Sequence, residues 1–201
     1  MFGSYTDAPP PERTEVARAG DRPGQTGPAA PAIPAQGLLM RPWREDDLPR
    51  FIHLLDDPEV WKLLPEPYPD PLDETLARAL IALSNEGDHH MVRAAVLDGE
   101  SVGQVRLSFA PGAQDRSRGE IGYWLGRDHW GRRIGHDMVA RFSAQCFAMM
   151  PELQIQFARV HRDNHASRRL LEKCGFAFES ACPDHPGFDI LTRSRPDGGA
   201  A

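Results

Sequence analysis

The chain has 201 residues, 40% of them hydrophobic, enough for one globular domain with a sizeable core. A formal net charge of -6 disfavours a nucleic-acid partner and favours a cationic one. No stretch approaches the run of about 18 apolar residues that spans a bilayer, and the acidic, proline-broken start does not read as a signal peptide, so a cytoplasmic protein without membrane attachment is expected.

Residues 1–36 are crowded with Pro, Gly and Ala and carry too few large apolar side chains to offset the entropy of ordering. They predict a disordered tail, a single domain over 37–195 and a flexible end over 196–201. Next, LLMRPW reads as a short strand stopped by Pro42, and Asp46 and Asp47 lead into a helix carrying Leu48, Phe51, Ile52, Leu54 and Leu55. The prolines of PYPDPLDE predict a stiff loop able to wall a substrate site. A helix follows with Leu72, Leu76, Leu80 and Leu83 on one face.

HHMVRAAVL and SVGQVRLSF, separated by Asp98, Gly99 and Glu100, read as a hairpin. In EIGYWL, alternation places Ile121, Tyr123 and Leu125 on one face and Glu120, Gly122 and Trp124 on the other, with a gap at Gly122. A helix with Ile134, Met138, Val139, Phe142 and Cys146 inward then runs to Pro151. Strand LQIQFARV leads to Asn164 as N-cap and a helix stopped by Gly175, and FAFESA and FDILTR close the chain. The order predicts an α+β class, a mixed central β-sheet with flanking helices.

Cys146, Cys174 and Cys182 show no paired spacing and read as reduced, buried thiols. His161 and His165 straddle the Asn164 cap rather than share a helical face. His89 and His90 have no carboxylate or cysteine pattern beside them, so no metal is expected.

The segment EIGYWLGRDHWGRRIGHDMV joins a strand, a turn with Gly126, Gly131 and Gly135, and a helix start. Unpaired N–H groups and the positive end of the helix dipole suit such a turn to a pyrophosphate. WGRRIG resembles the acyl-CoA pyrophosphate loop of GNAT N-acetyltransferases, in the WGxG version of the RimJ/RimL-like branch (ribosomal-protein alanine acetyltransferases). ARVHRDNHASRRLLEKCGF and RPWREDDL are similar to that branch too, and the matches run from residue 37 to about 193.

The resemblance implies the GNAT fold, acetyl-CoA as acyl donor and a primary amine as acceptor, either a protein N-terminus or a small molecule, in a monomer or homodimer. It implies backbone pairing of Trp124 and Leu125 with the pantetheine arm, where the central strands splay. Arg132, Arg133, Ile134, Gly135 and His136 would hold the pyrophosphate, Trp130, Gly131 and Arg168 would belong to the same CoA site, and Asn164 would reach the pantetheine or act as a plain cap. A bulky residue at Gly135 is expected to weaken CoA binding more than folding.

By resemblance Glu120 is the base that takes the acceptor's proton; the alternative is that it fixes a neighbouring strand or orients the acceptor. Many relatives carry an acid tyrosine where this chain has Leu171. Ser167, one turn earlier, matches a serine of the RimL-like enzymes and is the substitute, the alternative being a plain solvent-facing serine in the first helical turn; Asp184 and His185 are the candidates if Glu120 is not the base. Arg133 stands where the family usually has glycine. Trp124, on Glu120's face, could stack on an acceptor. The acceptor loops are expected at 57–74, 110–119 and 181–188. A different reading is a catalytically weak acyl-CoA-binding or regulatory module, with Leu171 and Arg133 as its marks.

Overall fold

Residues 37–62, 64–110 and 112–196 are described by a computed structural model, and all lie in one unit that spans 32–201. The predicted tail 1–36 and all but residue 196 of the predicted flexible end lie outside the described residues. Period-two apolar patterns give seven strands: β1 (Leu39–Arg41), β2 (His90–Leu97), β3 (Glu100–Ser108), β4 (Arg118–Leu125), β5 (Ile155–His161), β6 (Ala177–Ala181) and β7 (Phe188–Ser194). They form one sheet in the order β1-β2-β3-β4-β5-β7-β6, antiparallel except where β4 meets β5.

Helices α1 (Leu48–Leu55), α2 (Pro58–Trp61) and α3 (Glu74–Asn85) serve one face of the sheet. There Trp43, Phe51, Ala77 and Ile81 pack against Val92, Ala94 and Val96. Helices α4 (Ile134–Met149) and α5 (His165–Lys173) cover the other face, where Met138, Phe142 and Leu171 pack against Val105, Leu107 and Ile121. This is the predicted α+β class. Among the described residues no helix is long and apolar enough to cross a membrane.

Three local readings change. The β2–β3 turn is two residues, Asp98 (φ 52°) and Gly99 (φ 90°), both left-handed as a tight hairpin requires, and Glu100 already belongs to β3. Helix α2 has only four residues, too few for a periodic signal, and starts at Pro58 with Asp57 capping the Glu59 N–H. In α3 the core face is Ala77 and Ile81, whereas Leu76 and Leu83 are exposed; these leucines border a cavity instead of the core.

Two charged groups fasten the ends of the sheet. Asp47 accepts from Arg41 at 2.6 and 2.8 Å, from the Arg44 N–H and from Ser101 Oγ, tying the start of α1 to β1 and β3. Arg195 donates to the carbonyls of Phe147, Met150 and Leu153 at the end of α4, where a cation also meets the negative end of the helix dipole.

The functional consequence of the topology lies between β4 and β5. They pair only at Arg118–Ile155, Gly119–Gln156 and Glu120–Phe157, although β4 continues to Leu125 beside β3 and β5 continues to His161 beside β7. Beyond Glu120 the two strands part, and the sheet holds a wedge-shaped gap.

Candidate active site

Ladder parity decides which backbone groups face that gap. The Gly126 N–H bonds to the Val102 carbonyl at 3.0 Å, so the even-numbered residues of β4 turn their amides to β3. Tyr123 and Leu125 therefore face the gap, and Trp124, expected to share this role, turns its backbone to β3. The Leu125 carbonyl is already taken by the Trp130 indole N–H at 2.9 Å, which fixes the half-exposed Trp130 ring at the mouth of the gap. The Tyr123 amide and carbonyl and the Leu125 N–H are left for an extended ligand.

At the open end of the gap the chain turns into α4. Gly131 (φ 70°) and Arg133 (φ 64°) are both left-handed, and the first helical bond runs from the Asp137 N–H to the Arg133 carbonyl. Among the described residues, no acceptor takes the N–H groups of Gly131, Arg132, Arg133, Ile134, Gly135 or His136. Six successive donors at a helix N-terminus make a concave anion site. The arginine in a glycine position is accommodated by a strained φ, costing about 1–2 kcal/mol. Its guanidinium approaches Asp137 at 3.7 Å and so counters an acidic side chain beside the anion site, and His136 Nδ1 lies 3.0 Å from the same carboxylate.

Gly131 leaves open space where a Cβ would stand, but Gly135 does not. A Cβ at Gly135 would lie 2.9 Å from Leu170 and 3.3 Å from Leu125, so this buried glycine lets α4 pack on α5 and β4. The expectation that it serves mainly a phosphate misses that packing role.

On the α1–α3 side of the sheet the gap opens into a cavity of about 500 Å³. Its wall includes Trp61 from α2, Leu64, Pro65, Glu66, Pro67 and Pro69 from the proline loop, and Leu76, Leu80 and Leu83 from α3. Of the three expected acceptor loops only 57–74 borders it; none of the described residues of 110–119 or 181–188 does, and Asp184 and His185 are therefore elsewhere. Trp124 lines the cavity with its ring stacked on Trp43, centroids 6.2 Å apart.

Glu120 and Ser167 both line this cavity. Glu120 is not a free carboxylate: Arg159 Nε and Nη2 donate to its two oxygens at 2.8 and 2.9 Å. The hydrogen bonds to Glu120 raise the Arg159 pKa despite opposing burial. Ser167 Oγ lies 2.8 Å from the Tyr123 hydroxyl, across the gap from β4 to α5. Burial pushes the Tyr123 pKa well up, so that hydroxyl keeps its proton at all ordinary pH values. Leu171, fully buried beneath them, offers no proton.

The side chain of Asn164 accepts from the Ser167 N–H at 3.0 Å, a helix cap at the cavity wall. Arg168 is committed elsewhere: with Arg162 it pairs Asp189, joining α5 to β7. Among the described residues no group of His, Cys, Asp or Glu is arranged to hold a metal, and the three cysteines are free and buried.

Sequence reasoning missed Tyr123, Arg159, Arg106 and Glu66. Tyr123 shares its alternation with Ile121 and Leu125 and so reads as core. Arg159 was visible in principle, since alternation along β5 puts it on the face of its strand that a parallel neighbour would share with Glu120. Glu66 sits in a loop without periodicity.

Residues 37–177 match the acetyltransferase (GNAT) domain family. The chain is similar to an uncharacterized N-acetyltransferase p20 of Bacillus licheniformis, 28% identical over 154 residues, 74% of this chain and 83% of that protein. Among solved structures it resembles Mycobacterium smegmatis RimJ in complex with CoA-disulfide, with a TM-score of 0.70 at 21% identity, over 84% of this chain and 87% of that one. It also resembles the microcin C7 self immunity acetyltransferase MccE in complex with acetyl-CoA and AMP, with a TM-score of 0.69 at 14% identity, over 80% and 93% of the two chains. At such identities the structural likeness establishes the fold.

Proposed function

Because the chain belongs to the acetyltransferase (GNAT) domain family, we propose that it moves the acetyl group of acetyl-CoA directly onto a primary amine. The observation that carries this reading is the run of free N–H donors from Gly131 to His136 at one end of a strand gap whose other side opens on a cavity. A pyrophosphate fits the donors, an extended amide-bearing arm fits the Tyr123 amide and carbonyl and the Leu125 N–H, and an acceptor fits the cavity. The RimJ/RimL-like branch is supported by WGRRIG and by the Asn164–Ser167 spacing.

In this reading the amine nitrogen attacks the thioester carbonyl carbon, the C–S bond breaks, and the sulfur leaves as thiolate. The two hydroxyls of Tyr123 and Ser167 lie 2.8 Å apart and either could donate; we assign Tyr123 as the donor, which leaves the Ser167 hydrogen to point at the sulfur and deliver its hydrogen bond there. Glu120 spends both carboxylate oxygens on Arg159, so neither stands free toward the acceptor. We assign it the alternative role of fixing β4 against β5 and holding Arg159 at the cavity, while water carries the proton from the ammonium. Trp130, Gly131, Arg132, Arg133, Ile134, Gly135 and His136 form the CoA end of the site. Asn164 shapes the cavity wall, and Arg168 supports α5 from behind.

The test is release of free CoA from acetyl-CoA across a set of primary amines and peptide N-termini, with melting curves at rising CoA. Saturable release and a thermal shift are expected. A shift without release from any amine would favour the CoA-binding module, and neither effect would overturn both readings.

A further inference from the structure

On the cavity face, neighbouring strands place two arginines in one row. Arg106 on β3 is the cross-strand partner of Gly122 on β4. Arg159 on β5 stands two residues past Phe157, the partner of Glu120, so its side chain rises on the face of Glu120 and Gly122. Gly122 carries no side chain between them, and a Cβ there would lie 2.7 Å from Arg106 Nε. Arg106 therefore lies across β4 at Gly122, leaning toward β5, and both arginines border the cavity.

Each is held by a single carboxylate. Glu66 Oε1 accepts from Arg106 Nη2 at 3.0 Å, and Glu120 accepts twice from Arg159. Arg106 Nε and Nη1 and Arg159 Nη1 have no hydrogen-bond partner among the described residues. The Glu66 charge is also felt at Arg159, so the four groups form one cluster. Glu66 is its loosest member: its side chain is 47% exposed on the proline loop, against 15% for Glu120.

We propose that Arg106 and Arg159 form a subsite for an oxyanion, a carboxylate or phosphate carried by the amine acceptor, and that Glu66 occupies Arg106 until the acceptor displaces it. This rests on the acetyl-transfer reading. Guanidinium N–H groups match the geometry of carboxylate and phosphate oxygens, and the rest of the wall is largely apolar. The cavity's carboxylates are already spent on the arginines, leaving them poorly placed to recognise an additional cation.

The experiment compares three matched pairs: β-alanine with β-alaninamide, O-phosphoethanolamine with ethanolamine, and the peptide Glu-Ala-Ala amide with Gln-Ala-Ala amide. The charged member of at least one pair is expected to have a kcat/KM at least about tenfold higher, the scale of a charge-assisted hydrogen bond. The pair that shows it identifies the source of the oxyanion. Arg106→Gln should bring that ratio to about one, and Glu66→Gln should raise kcat/KM for the charged acceptor because it removes a competitor. If the Glu66–Arg106 pair merely braces the loop, Glu66→Gln lowers it, and the subsite is overturned. It is overturned equally by charged and neutral members performing alike in all three pairs, or by a preference that survives Arg106→Gln. If no amine releases CoA, the acetyl-transfer reading fails separately. The subsite then stands only if a charged probe alone raises the melting temperature of the wild-type chain and not of Arg106→Gln.

Discussion

Glu120 separates two kinds of chemistry by a single substitution. Glu120→Gln preserves shape but removes the charge that Arg159 clamps. If Glu120 were the base, kcat would fall by about 10² or more. With water as proton carrier, the expected loss is under about tenfold, with activity still climbing through the pH range in which the acceptor amine deprotonates. Steady-state rates across pH, with CoA affinity measured alongside, decide between them. Tyr123→Phe and Ser167→Ala should each lower kcat by about 10- to 100-fold with little change in the KM for acetyl-CoA. Their double variant should lose no more than the worse single, because the two hydroxyls act in series. Glu120 was singled out by its strand face together with the family resemblance, and the structure puts it on the cavity wall. Its clamp was not legible, because it depends on β5 running parallel beside β4, a pairing 39 positions away in sequence. Tyr123 was illegible for another reason: alternation assigns a face to a side chain but not to the hydroxyl at its tip.

At the level of elements, apolar periodicity located every strand and the four longer helices, and it failed where a helix serves two neighbours. α3 carries Ala77 and Ile81 toward the sheet and its leucines toward the cavity, so the larger side chains pointed to the wrong face as core. The start of α4 hid a similar exchange. Gly135→Val is expected to destabilise the fold by about 1–3 kcal/mol through the Leu170 and Leu125 contacts, lowering the melting temperature even without CoA. An unchanged melting temperature with lost CoA binding would return Gly135 to the phosphate. At the start of α1, burial alone would raise the Asp47 pKa, but the hydrogen bonds from Arg41, Arg44 and Ser101 outweigh it and hold the carboxyl below its ordinary value. A depressed folded pKa means that this carboxylate's stabilisation is complete above the unfolded value of about 3.9 and disappears as pH falls through the folded value. Asp47→Asn should therefore lower stability at pH 7, and its deficit against the wild type should shrink in denaturant titrations below about pH 4.

For the whole molecule, the composition shift near Gly37 coincides with the first residue of the family match. Deleting residues 1–36 should leave the melting temperature and CoA binding unchanged, and a large loss of either would place part of the domain in that segment. The order of elements gave the fold class because strand and helix periods differ. It could not give the cavity, whose walls come from the proline loop, helices α1, α2, α3 and α5, and four strands. The parting of β4 from β5 also divides the sheet's resistance to solvent. Along β4, the amides of Gly122 and Trp124 are locked to β3, while those of Tyr123 and Leu125 look into the gap. In deuterated water the strand should show an alternating rhythm of slow and fast isotope uptake instead of one uniform rate. An extended arm bound in the gap would act as a missing strand, and its arrival should be recorded as slowing at Tyr123 and Leu125 with their neighbours unmoved.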